Sequence, residues 1–221
     1  MDEFILKHKT YWRNKAFYTS TLWAGFLFVI SVIVSTMTNE YAILRAKNPV
    51  TDIVLSNVRV FDVDVVVNYG PLLIIILVFI ILAMRPAAIP FTIKSLALFI
   101  IIRGIFISLT HIGQFEPQIV LPSTGFLNFL GGGNTGGLFF SGHTGTPFLL
   151  ALIFWNNKIL RWGFVGLSIA LGTVMLLGHL HYTIDVVGAF FITPTIYYLA
   201  QKFFKRDYEL LHKGDQLIHS L

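Results

Sequence analysis

"LFFSGHTGTPFLLALIFW", residues 138–155, sets a serine, a histidine and a threonine at the mouth of an apolar run. An ionisable imidazole at such an edge gains a purpose only if other polar groups arrive there. Apolar runs of similar length recur: with 140–156, the stretches 17–37, 66–84, 90–112, 159–178 and 182–203 make six. A bilayer core about 30 Å thick takes about 20 apolar residues as helix. An open strand would leave backbone groups unsatisfied in lipid, so each stretch is predicted to be helical. The expected fold class is all-α, a polytopic membrane protein with six transmembrane helices. A cytoplasmic N-terminal segment, 1–16, precedes a six-helix membrane domain, 17–203; a cytoplasmic C-terminal tail, 204–221, follows.

Composition agrees. Of 221 residues, 55% are hydrophobic and only 12% charged, and mean hydropathy is +0.74; a soluble domain needs more polar surface. With no cysteine, thiolate metal sites and disulfides are excluded. The net charge of +5 lies in short clusters rather than a basic stripe with interleaved aromatics, so no nucleic-acid partner is expected. The first apolar run lacks a small-residue cleavage site and reads as an anchor rather than a signal peptide. Pro86 and Pro90 punctuate the turn between the second and third runs.

The basic residues orient the chain. Lys7, Lys9, Arg13 and Lys15 lie at the N-terminus, Arg85 in the second connection, Lys158 and Arg161 in the fourth, and Lys202, Lys205, Arg206 and Lys213 at the C-terminus. The third connection, 113–139, has no Lys or Arg, and the first mixes three with Glu40, Asp52, Asp62 and Asp64. The positive-inside rule then places both termini in the cytoplasm and the odd connections on the exoplasmic side.

With that topology, His143 opens the fourth run on the outer face, and "GHLHYTIDVVGAF", 178–190, brings His179, His181 and Asp185 to the same face. His181 and Asp185, four apart, are predicted to share one side of a helix. Asp185 then accepts from one ring nitrogen and leaves the other free and basic, an arrangement that activates a nucleophile or base. A lone histidine here would read as an interfacial residue, but a carboxylate inside a membrane segment costs about 2.5–3.5 kcal/mol and needs a partner or a task.

"FSGHT", 140–144, followed by "HYTIDVV", 181–187, resembles the paired signatures of the sphingomyelin synthase-like branch of the type 2 phosphatidic acid phosphatase superfamily. "RGIFISLTHIG", 103–113, is similar to the arginine-containing third-helix motif of that branch. The resemblance, which covers most of 90–200, implies a membrane lipid phosphotransferase or phosphatase with its catalytic core over about 90–200. In it His181 attacks phosphorus, Asp185 orients and charge-balances it, and His143 protonates the leaving oxygen. Its expected substrates are phospholipids, with ceramide or diacylglycerol as the lipid alcohol. Arg85-Pro86 mimics a further motif of the superfamily, but position 78 is Val and the pair faces the wrong side; an arginine six residues before the second histidine is replaced by Met175.

Phosphoryl transfer depends on positioning and on holding the anion's charge. Arg103, about eight residues or on the order of 12 Å below the outer end of its run, is the expected phosphate clamp, against the alternative of a snorkelling arginine. Ser141, Gly142 and Thr144, with backbone amides at the helix start, are expected to hold the anion, and His111 to line the site. No cofactor and no metal are expected: His179 and His181, two apart, diverge on a helix. "LGGGNTGG", 130–137, reads as a flexible lip in preference to an anion nest. "NVRVFDVDVVVN", 57–68, alternates with period two and is predicted to be extended or interfacial, with Asp62 and Asp64 solvated. Transfer and hydrolysis remain open alternatives, and the rival of another class is a six-helix proton-coupled transporter.

Overall fold

The computed structural model describes residues 2–119 and 137–218. Among these the chain is all helical, without strand: α1 (Asp2–Arg13), α2 (Lys15–Arg45), α3 (Asp64–Met84), α4 (Ile89–Leu109), α5 (Gly142–Ile153), α6 (Lys158–Leu177), α7 (Thr183–Phe203) and α8 (Lys205–Ile218). Five helices are long and apolar enough to cross a bilayer: α2, α3, the Pro86–Leu109 unit containing α4, α6 and α7.

The fourth predicted span departs from expectation. Its helix, α5, has 12 residues and rises only about 18 Å. Residues 137–141 approach it without helical structure, and Phe154–Asn157 turn away beyond its end. Apolar flanking residues had made the run look longer than its helix. The other boundaries lie close to expectation except in α2, which continues to Arg45 through "STMTNEYAILR" because that polar extension still packs beside α4. Residues 57–63 are irregular, but the helix of α3 begins at Asp64, so the expected extended segment stops short of 68.

Small residues decide how closely the helices pack. Ala24, Ser31 and Ser35 are buried on α2, and a Cβ at Gly104 of α4 would stand 3.1 Å from Thr38 Oγ1. Without a hydrophobic driving force in lipid, such close backbone approach supplies much of the association. Elsewhere the long apolar side chains of α3, including Leu73, Ile76 and Phe79, face outward, as lipid contact allows. Pro86 opens a short 3-10 turn and Pro90 falls in the first turn of α4, where its missing N–H breaks no helical bond.

α5 and α6 form an antiparallel hairpin whose second helix is capped by Asn157, the Oδ1 of which accepts Leu160 N–H at 3.0 Å. Ser168, midway along α6, donates to Thr144 O at 2.7 Å. A Cβ at Gly172 would meet both Thr144 and Val186 at about 3 Å, so α5, α6 and α7 converge at that level. The start of α5 therefore lies well below the outer end of α6. Beneath it sits the core of Phe91, Phe99, Phe140, Leu149, Leu150, Leu171 and Ile196.

The ends of the bundle are closed differently. Beside the termini, Lys94 Nζ donates to Asp207 Oδ2 at 2.6 Å and Ser20 Oγ at 2.8 Å, tying α4, α8 and α2. At the opposite end the connections are knitted through backbone. Gly113 N donates to Asn48 O, Phe61 N to Leu177 O and Ile119 N to Gly178 O.

Candidate active site

His143, His181, Asp185 and Arg103 come together at the end of the bundle away from the termini, each set there by a different element. Ser141 is the N-cap of α5, its Oγ accepting Thr144 N–H at 3.3 Å and Thr144 Oγ1–H at 3.2 Å. This cap starts the helix so that His143 occupies its first turn, half-buried. Ser141 N–H donates to Asp185 O at 3.0 Å, fastening α5 to the first turn of α7.

His181 precedes α7 rather than lying within it, because the helix begins at Thr183. The expected helical pairing with Asp185 is thus made by an N-terminal link instead. Asp185 Oδ2 accepts Tyr182 N–H at 2.9 Å and faces His181 Nδ1 at 3.2 Å. Asp185 is 0% exposed and His181 6%, so the pair is largely withdrawn from solvent. Asp185 Oδ1 is buried without a partner among the described residues, and an unsatisfied buried carboxylate oxygen is costly to keep. His181 Nε2 makes no hydrogen bond among the described residues. The His143 and His181 rings meet edge-on with centroids 6.4 Å apart, within the range of direct ring contact.

Arg103 lies six residues before the end of α4 at Leu109, nearer the outer end than the sequence reading put it, about 9 Å below. Its Nε donates to Phe140 O at 2.8 Å and its Nη2 to Gly137 O at 2.9 Å. These carbonyls belong to the non-helical approach to α5, and backbone of that kind survives at membrane depth only when buried in protein and satisfied. Arg103 satisfies it. Nη1 makes no hydrogen bond among the described residues. The Asp185 carboxylate acts electrostatically on the guanidinium, which balances charge where the dielectric is low.

The other expected anion ligands are placed less uniformly. Gly142 lies against Arg103, and the N–H groups of Gly142 and His143 start a helix and donate to no acceptor among the described residues; such amides suit an anion. The Ser141 and Thr144 hydroxyls instead bond to one another, and both residues are fully buried. His111 stands apart, exposed, its ring edge-on to Tyr41 of α2 at 5.3 Å. The glycine-rich segment 130–137 lies outside the described residues except for Gly137.

Three residues that sequence reading left aside support this cluster. His179, at φ 55° in the α6–α7 link, faces Pro117 O at 2.8 Å with Nδ1 and Val58 O at 3.0 Å with Nε2, so it ties down the outer connections instead of entering the site. Tyr182 Oη donates to Gly113 O at 2.8 Å and accepts Val50 N–H at 3.1 Å. Asp52 Oδ2 accepts Thr183 N–H at 2.7 Å, and its Oδ1 accepts Thr183 Oγ1–H at 2.7 Å. No local pattern marks these bonds, since each joins segments far apart in sequence.

Residues 135–202 match a family model, described as PAP2 superfamily C-terminal. The matched region holds His143, His181 and Asp185 and runs almost to the end of α7, leaving Arg103 and the first three long helices outside it. No curated protein and no solved structure matches the chain. The match supports the PAP2 superfamily, and together with the apolar helices it supports an integral membrane protein of the phosphatase or phosphotransferase type.

Proposed function

We propose that the chain is a sphingomyelin synthase-like lipid phosphotransferase or phosphatase that works through a phosphohistidine on the exoplasmic side of the membrane. The His181 Nδ1–Asp185 Oδ2 contact carries this reading. It directs the proton to Nδ1 and leaves the Nε2 lone pair for phosphorus. In the first half-reaction Nε2 bonds to phosphorus, the bond from phosphorus to the leaving alcohol breaks, and His143 gives that oxygen a proton. In the second, an acceptor hydroxyl attacks, the phosphorus–nitrogen bond breaks, and His143 takes the acceptor's proton. Arg103 Nη1 and the free amides of Gly142 and His143 hold the phosphoryl oxygens, while Asp185 offsets the developing imidazolium charge.

Water as acceptor makes the reaction hydrolysis; a lipid alcohol such as ceramide or diacylglycerol makes it transfer. A phosphatidic acid-type phosphatase shares the same first half. In this reading α5 supplies the sixth crossing together with the non-helical residues 137–141 that lead into it. Against a proton-coupled transporter, the buried ionisable groups among the described residues lie at the two ends of the bundle, Lys94 with Asp207 at one and Asp52, His179, His181 and Asp185 at the other. Phe99 and the apolar core lie between them, which gives no continuous relay across the bundle.

The test is trapping. Purified protein is mixed with a lipid carrying labelled phosphate, quenched in base, in which phosphohistidine survives, and mapped by peptide. Label on the peptide containing His181, absent in His181→Ala with the variant still folded, is the expected result. Turnover near wild type in His181→Ala would refute the assignment.

A further inference from the structure

We propose that Asp52, in the first outer connection, is a positioning residue that latches the first turn of α7 and thereby aims His181. The proposal rests on the functional reading above. Tyr182, the residue at the start of α7, gives the helix no side-chain cap, although helix N-termini carry unpaired N–H groups that a carboxylate or hydroxyl normally takes. Here two carboxylates divide them: Asp185 accepts Tyr182 N–H, and Asp52 accepts Thr183 N–H. Asp52 reaches α7 from 131 residues earlier in the chain.

Its own side of the latch is equally built. Oδ1 accepts Val54 N–H at 2.9 Å and Leu55 N–H at 3.1 Å, as well as the Thr183 hydroxyl. Asp52 is 8% exposed, so these bonds exchange little with water, and its negative charge sits at the positive end of α7. His181 is two residues from Thr183, and its ring makes a single side-chain hydrogen bond among the described residues, at 3.2 Å. The direction of Nε2 therefore follows the angle between the α6–α7 link and the first turn of α7. Asp52 fixes that angle. The link itself is held independently by the rings of His179 and Tyr182, so loss of Asp52 should loosen the turn without unfolding the outer end. In-line attack tolerates little error, since a misplacement of about 1 Å costs on the order of 100-fold in rate.

Asp52→Asn keeps one acceptor but turns an amide donor toward Thr183 N–H. The full chain in lipid nanodiscs is to be compared with wild type by hydrogen exchange across 180–186 and by kcat and KM on a lipid phosphate, corrected for folded protein. The latch predicts faster exchange there, kcat lower by at least about tenfold and KM within about twofold. Thr183→Ala should share the defect and Thr183→Ser, which keeps the hydroxyl, should restore turnover. Should Asp52→Asn fail to fold, that Thr183 pair makes the same comparison. Unchanged exchange would overturn the latch; faster exchange with unchanged kcat would reduce Asp52 to a structural role. A wild type that turns over no lipid phosphate would overturn the functional reading and this role with it.

Discussion

The Arg103 side chain lies directly against Gly142: a Cβ at Gly142 would stand 3.3 Å from Arg103 Nε and 3.6 Å from its Cζ. Two hydrogen bonds to Phe140 O and Gly137 O prevent the guanidinium from simply moving aside. Gly142→Ala should therefore shift Arg103 by a few tenths of an ångström and lower turnover about tenfold, with little loss of stability. Arg103→Lys should fall further, because an ammonium lacks the planar fork that meets two carbonyls and an anion together. A snorkelling arginine would tolerate Lys. Turnover of both variants at saturating lipid, beside their thermal stability, decides the matter, and near-normal activity in Arg103→Lys sinks the clamp.

His143 offers a sharper chemical test. As the donor to the leaving oxygen, it matters most when that oxygen is strongly basic. His143→Ala should be severely slowed on a natural lipid ester yet recover much of the loss on an activated ester such as a nitrophenyl phosphate. Equal losses on both substrates would remove His143 from the acid role and leave it as a wall of the site.

How much of this was legible in the sequence differs residue by residue. The convergence of His143, His181 and Asp185 on one face was, because it depends only on apolar run lengths and their order. The shortness of α5 was not, since "LFF" and "FW" read as membrane-embedded whether or not they are helical. Ser141, a serine at the threshold of an apolar helical run, carries the signal of a cap, and its hydroxyl caps α5 in place of holding an anion. Asp52 had no local signal whatever. Its meaning lies in a contact with Thr183 that exists only after the outer connection folds over α7.

At the termini end, stability is the observable. Lys94 and Asp207 are both buried, at 2.6 Å, with Ser20 Oγ donating to Asp207 Oδ1 at 2.6 Å. Asp207→Ala leaves an ammonium buried without its counter-charge and should cost about 3–5 kcal/mol. The double change Lys94→Met with Asp207→Leu removes both charges and should cost far less. Unfolding in graded denaturing detergent checks the contrast; equal losses would mean that the charges are not the source of the effect.

Sidedness can be read on an unusually clean background, because the chain has no cysteine. Glu116, in the third connection, and Asn156, in the α5–α6 turn, are both exposed. With the basic clusters held inside, Glu116→Cys should react with an impermeant thiol reagent on intact cells, and Asn156→Cys only after permeabilisation. The reverse pattern would move the candidate site to the cytoplasmic face.

The latch at Asp52 also predicts an acid limit. Burial raises the tendency of this carboxyl to hold its proton, but hydrogen bonds from Leu55, Thr183 and Val54 outweigh it and set its pKa below the ordinary 3.8. The unfolded chain therefore binds the proton more readily than the folded one, and folding is favoured where the group is ionised in both states. The stabilisation from Asp52 is fully present above the unfolded value and is lost as pH falls through it toward the folded pKa. Asp52→Asn abolishes this titration. The stability gap between wild type and Asp52→Asn should hence be constant from about pH 5 to 7 and narrow below about pH 4. Detergent unfolding of both proteins across that range measures it. A gap that stays the same down to about pH 3 would show that the Asp52 charge takes no part in holding α7.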